Sequence, residues 1–213
     1  SLPELVIERA RREASIKILN ESLVLMHAFI EKVDKDVWGG NITHYYVVSE
    51  FLDGVSLADF IRGKIKQKDG TSHTCIVEMY NDYKKNPEFQ STEILKKVLS
   101  GVMALHDIGF IHRDIDPSNI MITSEGKIKL IGFGVAKKMV SLNTADRGLT
   151  SSGQFIGKAE YAAPELILGA IAEQNFATDV YAMGILYFQL LTGKLPFVGN
   201  SYDVMQAQLH KSM

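Results

Sequence analysis

An α+β fold is predicted by three features of the 213-residue chain. Short runs rich in β-branched and aromatic residues come early, at Leu23–Ile30 and Tyr45–Val48. Long segments with helical periodicity come later, from about residue 91 onward. No internal repeat interrupts that order, so strands first and long helices after point to segregated elements in one architecture.

The elements follow in order along the chain. Residues 4–19 read as a helix, because Ile7, Ala10, Ala14 and Ile18 recur on one face at steps of three and four. The two early strands flank the turn-rich Val37–Asn41. Asp53-Gly54 reads as a turn, and Val55–Ile61 starts a second helical pattern. Residues 63–90 are polar and carry Gly70, Asn81, Asn86 and Pro87, which predicts a surface insertion. Ser91 reads as the N-cap of a long helix that buries Ile94, Val98, Val102 and Leu105 and ends at Gly109. Ile120–Ile122 and Ile128–Leu130, joined by Ser124-Glu125-Gly126, form a hairpin pattern. Residues 135–160 read as a long loop, rich in Ser, Thr, Lys and Gly. A last strong helix over about 177–192 ends at Gly193, with Pro196 beyond it.

Composition narrows the function. Apolar residues make up 46% and charged residues 23%, the balance of a globular domain. Lys and Arg number 23 against 25 Asp and Glu, so no basic excess exists to neutralise nucleic-acid phosphates. The most apolar stretch, Tyr181–Leu191, reaches only about half the length of a membrane span. The single cysteine, Cys75, cannot form an internal disulfide and fits a reducing compartment. Met103, Met121 and Met183 read as core filler. The opening Ser1-Leu2-Pro3-Glu4 has no secretory leader pattern, and the chain reads as a fragment of something longer.

The densest chemistry is His112-Arg113-Asp114, with Asn119 five residues after the aspartate, in the loop between the long helix and the hairpin. A carboxylate and an amide on one short loop can face a common point. There the carboxylate accepts a hydroxyl proton and the amide oxygen binds a hard cation such as Mg²⁺. The plainer alternative is a satisfied core histidine beside an ordinary Arg113–Asp114 ion pair.

The order of the surrounding motifs resembles the eukaryotic-type protein kinase family, in its Ser/Thr-like form, over essentially the whole chain. Glu13 stands where the family's helix-C glutamate pairs with the ATP-binding lysine. Glu50-Phe51-Leu52 resembles the hinge, with Ser49 in the gatekeeper place. Ala163-Pro164-Glu165 matches the motif closing the activation segment, and Asp179-Val180-Tyr181-Ala182-Met183-Gly184 resembles the start of helix F, whose aspartate braces the catalytic loop. The resemblance implies a protein-kinase fold with part of an N-lobe over residues 1–50 and a mainly helical C-lobe over 51–213. The hinge would lie at about 50–54 and the activation segment at about 132–165. It implies ATP and Mg²⁺ as cofactors, a protein substrate or partner protein, and a cytoplasmic location. By that resemblance Asp114 is the catalytic base and Asn119 the metal ligand. Ser49, Glu50, Leu52 and Glu13 belong to the nucleotide site.

Three departures fall on the phosphate chemistry. Where the family has Asp-Phe-Gly, this chain has Gly132-Phe133-Gly134, so the metal loses a carboxylate. Where Ser/Thr kinases have a lysine two residues after the catalytic aspartate, this chain has Asp116, while Lys158 replaces the family's threonine before the Ala-Pro-Glu motif. Two readings stand: a reciprocal swap in which Asp116 orients Lys158 toward phosphate, or two independent losses. Third, no glycine-rich loop or strand lysine precedes Glu13, and the arginine partner of Glu165 is absent, which predicts an unpaired or water-exposed Glu165. Arg113 is also a candidate clamp for phosphorylated Thr144, Thr150, Ser151 or Ser152. The resemblance therefore implies either a Ser/Thr protein kinase impaired by Gly132 or a pseudokinase acting as an interaction module. A small-molecule phosphotransferase sharing the His-x-Asp loop is disfavoured by the Ala-Pro-Glu and helix-F motifs.

Overall fold

The computed structural model describes residues 2–66, 70–133, 137–138 and 158–210. Helix α1, Leu2–Ser15, ends before the expected residue 19. Ser15 Oγ donates back to Arg12 O at 2.7 Å and Ile16 N closes on Glu13 O at 3.2 Å, a tight turn that buries Ile16. Strands β1 (Met26–Lys35) and β2 (Asn41–Ser49) pair antiparallel. Their turn is pinned by Asp36 Oδ1, which accepts from Trp38 N at 2.8 Å and Gly40 N at 2.7 Å. Both strands run longer than their apolar cores, because backbone pairing continues through polar partners such as Lys32 and His44. The start of the first expected strand is diverted. Leu130 N donates to Ser22 O at 2.8 Å and Val24 N to Leu130 O at 3.0 Å, which ties this segment to a later hairpin.

That later hairpin is β5 (Ile120–Thr123) and β6 (Ile128–Leu130), turning where the sequence predicts. Strand β3 (Gly54–Ser56) adds to its edge, so Gly54 is a strand residue rather than part of a free turn. A Cβ on Gly54 would lie 2.0 Å from Ile122 O, so only glycine permits so close a pairing. Helix α2 is consequently shorter than expected, Leu57–Ile61, and is capped by Ser56 Oγ accepting from Asp59 N at 3.0 Å.

The expected surface insertion contains a helix, α3, Thr74–Lys85. Ile76 and Tyr83 are buried on one face, with Tyr80 packed beside them and edge-on to Phe60 at 5.3 Å. Tyr83 Oη donates to Leu190 O at 2.6 Å, so a polar-looking segment is anchored by its aromatics. Helix α4, Pro87–Asp107, starts four residues before the expected cap. Proline at its first turn, after Asn86, sets that start, and Ser91 is fully buried inside the helix. Short strand β4 (Phe110–Ile111) pairs with β7 (Lys137–Lys138).

Helix α5 (Pro164–Ile167), helix α6 (Phe176–Thr192) and helix α7 (Ser201–His210) complete the described chain. Helix α6 begins in a reciprocal cap between Asn175 and Thr178 and ends at Gly193, whose φ of 69° suits a residue without a Cβ. The main core joins Phe60, Ile76, Ile94, Val98, Leu105, Ile120, Leu130, Phe133, Leu186 and Leu190. Met183 belongs to it, whereas Met103 is 53% exposed and is not core filler. The architecture is mixed: a helix and an antiparallel hairpin at the N-terminal side, and a mainly helical C-terminal side with small antiparallel sheets. No helix among the described residues is long and apolar enough to cross a membrane.

Candidate active site

The loop from Ile111 to Ile120 leaves β4 and enters β5, and a buried carboxylate at the start of α6 holds its backbone. Asp179 is fully buried. Its Oδ2 accepts from His112 N at 2.8 Å and lies 2.7 Å from His106 Nε2, while its Oδ1 accepts from Arg113 N at 2.8 Å. Arg113 has a φ of 67°, the left-handed region that costs about 1–2 kcal/mol for a non-glycine residue. Asp179 stabilises that turn by satisfying two successive amides of the strained segment. Arg113 Nη1 reaches Gln174 Oε1 at 3.2 Å. The phospho-acceptor candidates Thr144, Thr150, Ser151 and Ser152 lie outside the described residues.

His112 is a core histidine with structural partners. It is fully buried, edge-on to Phe133 at 5.7 Å, with Nε2 3.1 Å from Ile131 O and Nδ1 accepting from Asp114 N at 3.3 Å. Those partners assign its proton to Nε2. The ring thus supports Asp114 and the segment before Gly132 together.

Asp114 and Asn119 converge as the spacing predicts. Asn119 Nδ2 donates to Asp114 O at 2.8 Å and Asp114 Oδ2 at 2.8 Å, and approaches Asp116 Oδ2 at 3.2 Å. With its nitrogen committed, the amide turns its oxygen outward: a Cβ built at Gly132 would lie 2.8 Å from Asn119 Oδ1. The space a side chain at 132 would fill is therefore faced by one aimed oxygen donor, which suits a hard cation also held by phosphate oxygens. No carboxylate stands opposite it at 132. Among the described residues no group of three or more His, Cys, Asp or Glu forms a metal cluster. Burial pushes the Asp114 carboxyl above its ordinary value, His112 opposes that, Asp116 adds to it, and Asn119 and Lys158 lower it.

Lys158, after the segment outside the described residues, meets the same loop. Its Nζ lies 2.5 Å from Asp116 Oδ1 and 2.7 Å from Ser118 Oγ. Asp116 and Lys158 are thus a bonded pair, as the swap requires. Glu13, from α1, arrives at Phe133 and takes its backbone N–H. Burial nevertheless raises the Glu13 carboxyl above the ordinary range. An acid raised in the folded state favours the protonated form, so its cost appears as pH rises through the ordinary carboxylate range. Glu13→Gln keeps an acceptor without the charge. It is expected to raise the urea midpoint at pH 7 and to lose that gain below about pH 4; an unchanged midpoint at pH 7 overturns the assignment.

The hinge-like segment is fixed through the side chain of Glu50, a residue to which the resemblance assigns only a backbone role. Glu50 Oε1 accepts from Leu25 N at 2.8 Å and Lys129 Nζ at 2.6 Å, while Lys129 also donates to Leu23 O at 3.1 Å. Burial works against the Glu50 charge, but Lys129 and the Leu25 amide outweigh it and hold the carboxyl below its ordinary value. Ser49 is exposed at the end of β2 with its Oγ 3.3 Å from Glu50 O, and Leu52 packs partly buried against the core. Ser49, Glu50 and Leu52 are neighbours in this segment. Glu13 and Lys158 contact Phe133 and the Asp116 loop respectively. Glu165 is not left without a partner: Thr178 Oγ1, from the cap of α6, donates to it at 2.5 Å. Lys129, Ser118 and Thr178 carry no sequence signal, because each acts through a partner 13 to 79 residues away.

Comparison with known proteins agrees with this geometry. The family model described as "Protein kinase domain" matches residues 7–213. A probable serine/threonine-protein kinase PknB of Corynebacterium glutamicum is 32% identical over 201 residues, covering 89% of this chain and 29% of that protein. The similarly named protein of Lactococcus lactis is 33% identical over 156 residues, 73% of this chain and 21% of its own length. The serine/threonine-protein kinase drp72 of Corynebacterium efficiens is 29% identical over 197 residues, 92% of this chain and 32% of its own length. The chain thus spans a third or less of each of these relatives. A match from residue 7 to the last residue, laid over a loop braced by Asp179 and carrying Asp114 and Asn119, places the chain in the protein kinase family.

Proposed function

We propose that the chain is a Ser/Thr-type protein kinase domain that transfers the γ-phosphate of ATP to protein hydroxyls, with transfer impaired by Gly132. The supporting observation is the Asp114–Asn119 pair on a loop held by Asp179. In the reaction a substrate hydroxyl oxygen bonds to the γ-phosphorus, the bond to the β–γ bridging oxygen breaks, and ADP leaves. Asp114 orients the hydroxyl and accepts its proton. Asn119 Oδ1 would hold Mg²⁺, which when bound neutralises charge on the phosphates. Lys158 would contact phosphate, backbone groups at Glu50 and Leu52 beside Ser49 would hold adenine, and Glu13 would anchor the family's ATP-binding lysine. On this reading residues 1–50 are the N-lobe part and 51–213 the C-lobe, with the hinge at about 50–54 and the activation segment at about 132–165. On this reading the domain works in the cytoplasm, where ATP and protein substrates are both available.

One observation favours the pseudokinase reading, in which the fold binds partner proteins without transfer: no carboxylate faces Asn119 at position 132. The test is phosphate incorporation by the full-length protein, read by mass spectrometry with Mg-ATP. In the Gly132→Asp background, Asp114→Asn is expected to lower incorporation at least about 100-fold, since a general base contributes roughly 10²–10⁴. Incorporation that persists after Asp114→Asn overturns the assignment of the base.

A further inference from the structure

We propose that Asp116 is a positioning residue, which holds the Lys158 ammonium where it meets the terminal phosphate of a bound nucleoside triphosphate. The proposal rests on the kinase reading above and assigns the phosphate-facing cation to a residue outside the catalytic loop itself.

The argument begins with a carboxylate that has no reason to be buried alone. The Asp116 side chain is 3% exposed, and an isolated buried carboxylate is costly. Its oxygens are fully engaged. Oδ1 accepts from Ser118 N at 2.7 Å, Ser118 Oγ at 2.7 Å and Lys158 Nζ at 2.5 Å, and Oδ2 takes Asn119 Nδ2 at 3.2 Å. The carboxylate is therefore rigid, and so is whatever it holds.

Lys158 is held at two points and open at a third. An ammonium has three N–H donors. One goes to Asp116 Oδ1 and one to Ser118 Oγ, and the third has no acceptor among the described residues. The side chain is 46% exposed, so it is not sealed into the core.

The open donor lies beside the base. Asn119 Nδ2 bridges Asp114 Oδ2 and Asp116 Oδ2, so the two carboxylates share one amide. Lys158 and Asn119 thus meet on the one Asp116 carboxylate, Lys158 at Oδ1 and Asn119 at Oδ2. A phosphoryl group near a hydroxyl held by Asp114 would therefore meet the Lys158 charge. Ser118 completes the cradle, donating to Asp116 while accepting from Lys158.

The experiment measures affinities of the full-length protein for ATP, ADP and adenosine at fixed Mg²⁺, by calorimetry. Lys158→Met is expected to weaken ATP about tenfold and leave adenosine unchanged, the loss expected from one charge-assisted contact. Asp116→Asn is expected to weaken ATP selectively by a smaller factor. The double variant Asp116→Lys with Lys158→Thr, which returns the cation to the loop, is expected to recover ATP affinity to within about threefold of the starting protein. Should Lys158→Met leave Asp116 too poorly compensated to fold, Asp116→Asn with Lys158→Met removes both charges and is expected to show the same selective loss. An unchanged ratio of ATP to adenosine affinity in the Lys158 variants overturns the proposal and leaves the kinase reading intact. A starting protein that binds neither ATP nor adenosine overturns both.

Discussion

Replacing Asp179 with alanine is expected to lower the unfolding free energy by about 3–5 kcal/mol, the largest stability loss from any single polar substitution in the described site. The magnitude follows from what the carboxylate leaves behind. Two backbone amides, at His112 and Arg113, lose their acceptor together with the His106 ring, in a place fully closed to water. Arg113 would keep its φ of 67° without the contact that compensates for it. Asp179→Asn retains one acceptor oxygen, and its loss is expected to be roughly half as large. Urea titration at pH 7 measures both; a loss under about 1 kcal/mol for alanine means that the loop is held by its apolar neighbours instead.

The loop's dependence on Asp179 also explains why the site is legible in the sequence. Asp114 and Asn119 are five residues apart, and short spacing on one loop is a local property. Asp179 stands out through its own motif at the start of a strongly patterned helix. Elements with clear periodicity, α4, α6 and the β5–β6 hairpin, have the type that their pattern predicts, although α4 starts four residues early. Differences gather where tertiary contacts override local pattern. Helix α3 looks polar because few of its residues pack on the core, Ile76, Met79, Tyr80 and Tyr83, and two of those are tyrosines. Gly54 looks like a turn because nothing local reveals that Ile122 O will approach it.

The same division holds for charge. The Asp116–Lys158 exchange is visible as two departures from a family pattern, but only the fold brings residues 42 apart in sequence to a 2.5 Å contact. Glu50 stands out in the sequence for its backbone, yet its side chain is what ties the segment to Lys129 and Leu25. The Ala-Pro-Glu motif by itself announces no partner for Glu165. Thr178 supplies a partner from the capping box of α6, which no local pattern announces.

Gly132→Asp is expected to produce the largest gain in function, and at a structural cost. The residue has a φ of 82°, and a Cβ there would lie 2.8 Å from Asn119 Oδ1. An aspartate would therefore bear about 1–2 kcal/mol of backbone strain and push the amide by a few tenths of an ångström. It would also add a carboxylate close to Asp114 and Asp116, so without divalent cation its melting temperature is expected to fall. Magnesium reverses that sign, because a carboxylate and the Asn119 oxygen then face one ion from two sides, and binding to the folded state stabilises it. Restoring one electrostatic partner of a transferring phosphoryl group is worth roughly 10²–10³ in rate. Autophosphorylation of the full-length protein, read by mass spectrometry with Mg-ATP, is thus expected in the Gly132→Asp variant and near background with Gly132. Equal incorporation by both forms would mean that Asn119 and Lys158 suffice and that the missing carboxylate costs nothing. Failure of both forms, with the Mg²⁺-dependent rise in melting temperature still present, would separate metal binding from transfer and make the partner-binding pseudokinase the better account of this fold.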